Sequence, residues 1–516
     1  MFTGPEHVSV LVVGGGYAGL ASALYLARQG AEVVLVDRHP GVSIHGKARG
    51  ISPRTIEIYR AFGIAEAVLA AGEPFAEEAG VARCPSLAAP WDWLSDEKAP
   101  RANAEVSAGE SGMADQNTVE PILIEAGRAQ GARYLLNTDV LDTTATETGV
   151  TAIVRDRATG AERTINADYL VAADGNRSPI RERLGITRPG ARSIMPTMNI
   201  VFTADLTELT PKRALFWLII NPETGFGGGL VSTAQPDRWQ LSVQYDPAAE
   251  SEEDFEADRC RALIHTALGR ADIAVDVEGV ASWDQGVGVA ERIRDGRVFL
   301  VGDSAHVWPP TGAMGANTGI QDAHNLAWKL AAVVNGWAGP GLLDSYEAER
   351  LPVMATMAPL IVRHQEARMT GQREPADGPS LAAMTFGQQY GTGEVFPADP
   401  PAVATAGARA PHLWLIHRDQ RIGLHDLVND AFIVLTGPEG QTWRAAAAKQ
   451  IGLPLRTYLI GEDLIDTENW WQARYALGDD GAVLIRPDGY VAARFEAGAD
   501  DPTCLLHAAL ADLLDR

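Results

Sequence analysis

Val8–Arg28 reads VSVLVVGGGYAGLASALYLAR, and it carries the most informative local pattern of the chain. Its first part, Val8–Val13, is a short β-branched run that ends at a glycine cluster, which predicts a buried parallel strand. Helical spacing of apolar residues follows over Leu20–Gln29, and Gly30 supplies the left-handed stop. A second apolar run, Glu32–Val36, completes a strand–helix–strand unit. The unit predicts an open parallel sheet of the kind that binds dinucleotides.

The turn between the first strand and its helix carries G-x-G-x-x-G at Gly14, Gly16 and Gly19. In this motif the first glycine allows a tight turn and the second lets the backbone approach a pyrophosphate. The third lets the helix pack on the strand. The pyrophosphate is then expected at the helix N-terminus, where unpaired N–H groups favour an anion. Tyr17 and Ala18, which lie inside the motif, belong to the predicted cofactor site.

An acidic residue follows the second strand at the spacing that dinucleotide folds use. Asp37 stands 18 residues beyond Gly19 and is placed to accept hydrogen bonds from an adenosine ribose. Its neighbour Arg38 is included among the predicted cofactor contacts. This motif by itself predicts a dinucleotide but does not separate FAD from NAD.

The size and charge of the chain narrow the remaining classes. With 516 residues it is expected to form two or three domains. Its net charge of −24, from 43 basic and 67 acidic residues, repels phosphate backbones and anionic lipid. Neither nucleic-acid binding nor membrane binding is therefore expected. Val8–Ala27 lacks charge for a membrane-spanning length, but its four glycines favour a strand and a helix.

The cysteines also exclude several kinds of site. Cys84, Cys260 and Cys504 are far apart and contain no C-x-x-C pair. This spacing argues against a disulfide framework, a thiolate zinc site and a dithiol redox centre. Isolated structural cysteines and a reducing cytoplasm are the expectation.

Patterning along the chain divides it into an interrupted first domain and an inserted second one. Short aromatic and β-branched segments over 191–284 are separated by Gly, Pro and Asp residues. They predict an antiparallel sheet that encloses the substrate, and part of 80–112 is expected to belong to the same domain. Parallel-sheet patterning returns near Val298. The first domain is therefore predicted to comprise 1–190 and 285–395.

A third unit is predicted at the C-terminus. The Pro- and Ala-rich stretch Val395–Pro411 is typical of a linker. Residues 411–516 then contain several apolar strands, a hairpin turn at Pro487–Gly489 and a closing helix over 503–514. They predict a compact α/β module.

Two further motifs specify the cofactor through family resemblance. Asp174, Ser178 and Arg181 match the D-G-x-x-S-x-x-R motif of flavin-dependent aromatic hydroxylases. Gly302 and Asp303, in RVFLVGD, resemble the second flavin motif of those enzymes. With the N-terminal glycines, the chain resembles class A flavoprotein aromatic hydroxylases, the para-hydroxybenzoate hydroxylase family. The resemblance is strongest to the bacterial aromatic polyketide branch, which includes aklavinone hydroxylases.

This resemblance covers nearly the whole chain and implies an α/β architecture of three parts. These are a discontinuous FAD-binding Rossmann-like domain, an antiparallel-sheet substrate domain and a thioredoxin-like C-terminal domain. Because the last domain lacks C-x-x-C, a structural or dimerising role is implied, with a homodimer as one expectation. FAD is the implied cofactor, and NADPH or NADH the implied co-substrate.

The second flavin motif also has a physical rationale. Asp303, at a strand end, is placed to accept hydrogen bonds from the ribityl hydroxyls of a flavin. The prolines and glycines after it stiffen a loop that leaves room for a flat ring. A helix that starts after Gly315 then aims N–H groups at the flavin and stabilises negative charge on the reduced ring. The contacts predicted from this loop and helix are Pro310, Gly312, Gly315, Ala316 and Asn317.

Other cofactor positions are implied by the resemblance alone. Arg49 matches an arginine beside the flavin pyrophosphate, with an ordinary surface cation as the alternative. Gln116 matches a flavin-contacting glutamine before a helix, with an exposed polar residue as the alternative. Two positions depart from the family pattern. Lys47 stands where many relatives have arginine, and Ala313 replaces a glycine of the PPTGGMG loop.

Substrate contacts are predicted on the second domain. Met198, Phe216 and Trp217 lie in its strands, where alternate residues could face the flavin, and ordinary core packing is the alternative for each. Arg368 aligns with an arginine near the active site of the polyketide branch and could favour a phenolate. The alternative for Arg368 is an exposed helix arginine.

The resemblance implies hydroxylation of a polycyclic aromatic phenol. A reduced nicotinamide would pass hydride to FAD, and dioxygen would then give a flavin C4a-hydroperoxide that attacks the ring carbon ortho or para to a phenolate. A Baeyer–Villiger oxygenase on the same scaffold and a flavin-binding redox sensor without turnover remain alternatives. A flavin halogenase is disfavoured because Leu94 and Ser95 do not supply the Ile-Pro that follows W-x-W in that group.

Overall fold

The computed structural model describes residues 6–42, 48–75, 80–95, 104–191, 195–370, 378–391, 393–397 and 403–516. The helices are α1 (Tyr17–Arg28), α2 (Pro53–Ala61), α3 (Ala65–Ala70), α4 (Gln116–Ala129), α5 (Pro179–Arg183), α6 (Ala257–Leu268), α7 (Met314–Val334), α8 (Asp344–Thr370), α9 (Leu381–Phe386), α10 (Gln441–Ala447), α11 (Trp470–Tyr475) and α12 (Pro502–Leu513). The strands of the N-terminal half are β1 (Glu6–Val13), β2 (Val33–Val36), β3 (Gly50–Ile51), β4 (Val81–Cys84), β5 (Asp92–Ser95), β6 (Gly112–Met113), β7 (Arg133–Leu135), β8 (Thr138–Ala145), β9 (Val150–Asp156), β10 (Glu162–Ala172), β11 (Met195–Thr203), β12 (Phe216–Asn221) and β13 (Phe226–Ser232). The remaining strands are β14 (Arg238–Gln244), β15 (Asp276–Gln285), β16 (Gly288–Val289), β17 (Arg294–Asp295), β18 (Val298–Leu300), β19 (His306–Val307), β20 (Trp414–His417), β21 (Gln420–Gly423), β22 (Phe432–Thr436), β23 (Leu455–Leu459), β24 (Ile465–Asp466), β25 (Ala482–Ile485) and β26 (Val491–Phe495).

The first domain is built on a sheet with the strand order β17-β18-β10-β1-β2-β7. The strands from β18 to β7 in this order run parallel. β17 pairs antiparallel with β18, and the β8–β9 hairpin pairs antiparallel with β10 through β9. β2 and the Val10–Val13 part of β1 are buried, because helices and neighbouring strands cover them. The predicted open parallel sheet is confirmed, and β18 joins it from the far side of the inserted domain.

The second domain is a sheet with the order β15-β11-β14-β13-β12-β4-β5. Its neighbours are antiparallel except for the β12–β4 pair. One face packs on α6 in a hydrophobic core of its own, and the other face is turned away from that helix. Since side chains alternate across a strand, adjacent residues necessarily face opposite sides. The predicted antiparallel domain therefore has two chemically different faces.

The C-terminal domain contains a sheet with the order β23-β22-β25-β26, in which β22 and β23 are parallel. The closing helix α12 and the short helix α10 pack together against it. Its core continues into the first domain, because Phe432 on β22 lies against the edge of Trp328 on α7, with 5.7 Å between the ring centroids. The predicted α/β module thus packs directly against α7 of the first domain.

The predicted linker Val395–Pro411 contains no named helix or strand in its described part, yet it is packed against the protein; residues 398–402 lie outside the described ranges. Phe396, Ala404 and Ala410 are buried in hydrophobic clusters. Arg409 is also buried, and it pairs with a carboxylate of α2. The small alanines let this segment pack closely against the first and the C-terminal domains. Its Pro- and Ala-rich composition did not predict this burial.

The cysteine and membrane expectations have clear structural counterparts. Cys84 and Cys260 are buried free thiols, and burial raises the pKa of Cys84 to about 11, whereas Cys504 is exposed. The uncharged stretch Val8–Ala27 divides between β1 and α1. Within the described ranges, every helix is too short or too polar to cross a bilayer, and His, Cys, Asp and Glu form no cluster suited to a metal ion.

A buried histidine makes stability depend on pH. His324 packs against Tyr25 and Phe62, and its Nε2 has no hydrogen-bond partner among the described residues. Burial lowers the pKa of His324 to about 3. Below about pH 6.5 the unfolded chain binds a proton at this residue and the folded chain does not, so stability falls as pH falls.

H324F should therefore flatten the acid side of the stability curve. Between pH 6.5 and 4.5 the wild type should lose about 2–3 kcal/mol more than H324F does. Urea unfolding at intervals across that range measures the difference. H507F, which replaces an exposed ring on α12, serves as the control and should keep the wild-type slope. Parallel curves for wild type and H324F would contradict this assignment.

Candidate cofactor and substrate site

The glycine turn after β1 brings three backbone segments into contact. Gly14 has φ +109°, and a Cβ built on it would lie 2.1 Å from the carbonyl oxygen of Ala173. A Cβ on Gly19 would lie 1.9 Å from the carbonyl oxygen of Gly14. A Cβ on Gly16 would meet no heavy atom of the described residues within 4 Å. Gly14 and Gly19 thus permit packing, while Gly16 keeps open the space in front of α1.

The N-terminus of α1 is suited to an anion. Gly16 is its N-cap and offers no side chain to the first N–H groups, which have no intrahelical acceptor. The ring of Tyr17 is buried, so its predicted cofactor contact is restricted to the backbone. Ala18 packs against Gly302, where a built Cβ would come within 2.8 Å of the Ala18 methyl.

Asp37 is held beside this turn. Its Oδ2 accepts a hydrogen bond of 2.6 Å from the Gly15 N–H, and its Oδ1 accepts one of 2.7 Å from the His39 N–H. A carboxylate retains further lone pairs after two such bonds. The geometry therefore suits the predicted ribose contact. Arg38 is exposed beside Asp37, and its carbonyl oxygen accepts a hydrogen bond from Arg157.

The second motif forms a brace between loops. The Asp174 carboxylate accepts hydrogen bonds from Ser178 Oγ at 2.6 Å and from the Ile180 N–H at 3.0 Å, and burial raises its pKa. Arg181 donates to the Ser304 carbonyl oxygen at 3.0 Å. The motif thereby ties the loop beside Gly14 to the turn after β18. Direct contact of Asp174 with a cofactor stays a prediction, since its carboxylate already serves the loop.

The turn Gly302–Ser304 follows β18 and presents one acidic side chain. Asp303 is exposed between two buried neighbours, and its carbonyl oxygen accepts a hydrogen bond from Arg188. Gly302 adopts φ +59° and donates its N–H to Asp322 at 3.3 Å. The position of Asp303 at the end of a parallel strand matches its predicted role toward polyol hydroxyls.

Sequence reasoning missed the network beneath this turn. Asp322 is fully buried and also accepts hydrogen bonds from His306 Nε2 at 2.8 Å and from Arg350 Nε at 2.9 Å. Burial opposes ionisation of Asp322, yet Arg350 and His306 hold its pKa below the usual value. In the sequence, Asp322 and His306 each stand in an otherwise apolar stretch. That pattern does not reveal that the two bind each other and that Arg350 also binds Asp322.

The loop before α7 is shaped by left-handed residues. Gly312 has φ +72° and Ala313 has φ +54°, and the helix begins at Met314, whereas it was predicted to start after Gly315. A Cβ on Gly315 would meet no described atom within 4 Å. The first N–H groups of α7, including that of Ala316, lack intrahelical acceptors and make this end favourable for negative charge. Pro310 is exposed at the start of the same loop.

The buried side chain of Asn317 joins two loops. Its Oδ1 accepts hydrogen bonds from the Ser52 N–H at 2.9 Å and from Thr55 Oγ1 at 2.6 Å. Its Nδ2 donates to the carbonyl oxygens of Gly50 at 3.0 Å and Ala313 at 2.7 Å. The amide is therefore fully committed to the protein, so a predicted flavin contact of Asn317 is restricted to its backbone.

A313G is expected to stabilise the protein. The left-handed conformation at Ala313 strains an alanine, so glycine should raise the free energy of unfolding by up to about 1 kcal/mol. The alanine methyl fits at present because residue 50 is glycine, whose built Cβ would lie only 2.7 Å from it. Urea unfolding of the cofactor-free protein measures the gain. A316G, in the first turn of α7, should instead lose about 0.5–1 kcal/mol; a loss in both variants would refute the strain.

Arg49 and Gln116 are both drawn inward. Arg49 donates to Asp115 at 3.0 Å and to the Ser232 carbonyl oxygen, with only 14% of its side chain exposed. Gln116 donates to Glu120 at 2.6 Å and accepts from the Ala48 N–H at 3.3 Å. The alternatives of a surface cation and an exposed polar residue are therefore wrong. Their flavin contacts stay predictions, and Lys47 lies outside the described residues.

Two of the predicted substrate contacts lie in core packing, which was the alternative for each. Met198 and Trp217 are fully buried on the α6 side of the second sheet, where Trp217 packs edge-on against Trp91 and Trp239. Phe216 precedes Trp217 and so points to the opposite face, where its ring lies over Gly229. Arg368 lies in α8, and its side chain is outside the described residues.

The face that Phe216 shares carries polar groups that the sequence did not reveal as a set. Ser242 donates to Asn199 Oδ1 at 2.6 Å. Gln240 Oε1 is buried without a hydrogen-bond partner in the described part of the chain. Exposure increases along the same face, from Gln240 at 7% to Ile220 at 43%. This half-covered face, with apolar and unsatisfied polar groups together, has the character of a ligand-binding wall.

The comparisons with known proteins define the class. Residues 7–359 match the family described as FAD binding domain, and residues 404–516 match the family described as aromatic-ring hydroxylase, C-terminal. The chain therefore belongs to the FAD-dependent aromatic-ring hydroxylases and is an enzyme of the monooxygenase type. This confirms the resemblance and the fold class predicted from the three motifs.

Individual relatives share the full length of the chain. It is similar to the tetracenomycin A2 monooxygenase-dioxygenase of Streptomyces glaucescens, with 39% identity over 99% of this chain and 97% of that one. It is 36% identical to the aklavinone 12-hydroxylase RdmE of Streptomyces purpurascens, over 99% of both chains. Among solved structures, it resembles aklavinone-11 hydroxylase in complex with FAD and aklavinone, with a TM-score of 0.86, 33% identity and full coverage of both chains.

Proposed function

We propose that this protein is an NAD(P)H-consuming monooxygenase that hydroxylates a polycyclic aromatic phenol of the polyketide type, with dioxygen as the oxygen source. The observation that carries the proposal is a pair of helix N-termini, those of α1 and α7, each left clear by a glycine. Built Cβ atoms on Gly16 and Gly315 meet no atom of the described ranges within 4 Å. The solved aklavinone-11 hydroxylase that shares this fold holds both FAD and aklavinone.

The residues present fit FAD. The N-terminus of α1 would hold the pyrophosphate, Asp37 the adenosine ribose and Asp303 the ribityl chain. The first N–H groups of α7 would face the ring that becomes negative on reduction. When bound, FAD supplies the redox chemistry, taking a hydride from reduced nicotinamide and using dioxygen to oxidise the substrate. The protein supplies position, charge stabilisation and exclusion of water.

The substrate is assigned to the sheet face that carries Phe216. The Phe216 ring would pack against the ring system of a flat polycyclic phenol. Such aromatic contacts favour an aromatic ligand at this face. The unsatisfied Oε1 of Gln240 would accept a hydrogen bond from a phenol hydroxyl, and Asn199 with Ser242 adds a second polar point. Arg368, by the resemblance, would favour the phenolate form that oxygen transfer needs.

One experiment tests the proposal in stages. The purified protein is reconstituted with FAD, and oxidation of NADPH and of NADH is followed with and without a panel of anthraquinone and naphthoquinone phenols. We expect flavin absorption bands, oxidation that rises with a phenol, and a product heavier by one oxygen atom that derives from labelled dioxygen. A ring-expanded ester would instead indicate Baeyer–Villiger chemistry. Flavin binding without stimulation by any phenol would contradict the proposed substrate class.

The two faces of the second sheet should respond differently to substitution. F216A should raise KM for the aromatic substrate by about 10-fold or more, because an apolar contact of this kind contributes about 1–3 kcal/mol. M198L, on the α6 side, should leave KM unchanged and cost less than about 1.5 kcal/mol of stability. Steady-state kinetics and urea unfolding of both variants measure these effects. A larger increase in KM for M198L than for F216A would contradict the assignment, because it would place the substrate on the α6 side of the sheet.

A further inference from the structure

The hairpin turn that joins β25 to β26 is buried, which is unusual for a turn. Arg486, Asp488 and Tyr490 are 4%, 1% and 6% exposed, and Pro487 and Gly489 between them are buried as well. Connections normally lie at the surface because their polar backbone groups need partners. Here the backbone groups pair within the turn, with Ala410 and, at the Asp488 carbonyl oxygen, with Arg54 of the first domain. The side chains of Arg486 and Asp488 also bind first-domain helices, so the C-terminal domain inserts this turn, Arg486–Tyr490, into its neighbour.

The inserted turn contacts three helices of the first domain. The Asp488 carboxylate accepts hydrogen bonds from Trp328 Nε1 at 3.1 Å and from Asn325 Nδ2 at 3.3 Å, and both residues belong to α7. The Asp488 carbonyl oxygen accepts one from Arg54 of α2 at 2.8 Å. Arg486 pairs with Glu349 of α8 at 2.6 Å. The turn therefore bridges the first turn of α2, at Arg54, and the middle of α7, at Asn325 and Trp328.

The same two helices meet again at their N-termini, through Asn317. The amide of Asn317 binds the start of α2 at Ser52 and Thr55, and it binds the loops on either side at Gly50 and Ala313. These loops carry several of the predicted flavin contacts. Asp488 thus contacts α2 at Arg54, between the two residues that Asn317 binds, and it contacts α7 further along the helix, at Asn325.

A second set of contacts fixes α2 against the C-terminal domain, through Asp426, and against the segment that precedes that domain, through Arg409. The buried carboxylate of Glu57 accepts hydrogen bonds from Arg409 at 3.0 Å and from Ser107 at 2.7 Å. Arg60 forms a two-pronged pair with Asp426 at 2.9 and 2.7 Å. Bidentate and buried pairs of this kind define geometry more strictly than a single exposed contact. Rotation or sliding of α2 would break both sets.

We propose that the C-terminal domain positions the flavin loops, with Asp488 and Asn317 as the positioning residues that together hold the N-terminal turn of α2 against α7. The inference rests on the proposed function because it assumes that FAD occupies these loops. It assigns the domain a role in the first domain's cofactor site, although it lacks the C-x-x-C of redox thioredoxins. By linkage, anything that loosens the turn must weaken FAD binding, and FAD must in return tighten the turn.

The test compares variants by FAD affinity and by the midpoint potential of the bound flavin. D488N alters the turn, and T55V removes the Thr55 hydroxyl that donates to Asn317 Oδ1 while keeping the shape of the side chain. Each should weaken FAD binding by about 10-fold, equal to about 1.4 kcal/mol, and shift the flavin potential. Y475F is the control, because its hydroxyl bonds to Pro411 inside the C-terminal domain at 2.8 Å. Y475F should lower stability and leave FAD affinity and potential unchanged.

A second measurement uses the unmodified protein and so does not depend on how a variant folds. Amide hydrogen exchange is followed with and without FAD for residues 482–495, with β20 and β21 as an internal reference. Saturating FAD should slow exchange in the hairpin by at least about 10-fold more than in the reference strands. The positioning role alone would be overturned by two results together: FAD slows exchange equally in the hairpin and in the reference strands, and D488N and T55V keep the wild-type FAD affinity and flavin potential. Failure of the wild type to bind FAD would overturn the proposed function together with it.

Discussion

G16A should bind FAD at least about 100-fold more weakly than the wild type while folding normally. The added methyl group meets no described atom within 4 Å, and the backbone at Gly16 has φ −82°, which alanine adopts without strain. The methyl would instead enter the space in front of α1 that the pyrophosphate needs. Loss of the close approach between phosphate and backbone N–H groups should cost about 2.7 kcal/mol or more of binding free energy.

Titration of the cofactor-free protein with FAD, followed by flavin fluorescence, measures this loss. G227A is the matched control, since Gly227 in β13 also faces open space within the described residues and adopts an ordinary backbone conformation. It should bind FAD as the wild type does. G19A should fail in the opposite way, by unfolding, because its Cβ would lie 1.9 Å from the Gly14 carbonyl oxygen. Wild-type affinity in G16A would remove α1 from the cofactor site.

R350M should destabilise the protein by about 3–5 kcal/mol, because it leaves the carboxylate of Asp322 buried without its guanidinium partner. Arg350 and Asp322 are both fully buried, and Arg350 also donates to Gln388 at 2.7 Å. Methionine fills much of the same volume but offers no charge. Because Asp322 in turn accepts the Gly302 N–H, the turn after β18 should loosen as well.

Urea unfolding at pH 7 measures the loss, and its pH dependence identifies the cause. The lowered pKa of Asp322 contributes stability at neutral pH that is lost as pH falls through the folded-state value. Without Arg350 the carboxyl should take up a proton more readily, so the gap between wild type and R350M should narrow toward pH 4. R444M, at the exposed pair with Glu462, should cost less than about 1 kcal/mol. A gap that stays constant with pH would indicate lost packing instead.

Local patterns predicted the scaffold of this protein well. The run Val8–Val13 and the glycines after it predict a strand, a tight turn and a helix, because backbone conformation and helix–strand approach depend on neighbouring residues. Three motifs in order then predicted the family, which the comparisons confirm. The pattern of the second domain likewise predicted its antiparallel sheet. It did not tell Phe216 from Trp217, since a period of two defines two faces without saying which one is covered.

Local sequence patterns therefore specify the cofactor fold, the family and the places where glycine is required. Long-range packing selects which polar side chains are available to a ligand. Asp174 and Asn317 are bound to loops of the protein, and the turn around Asp488 is inserted between α2 and α7. The bond from Arg54 to Asp488 joins residues 434 positions apart. No local preference of the chain specifies such a pair, because its energy exists only once the domains have docked and excluded water.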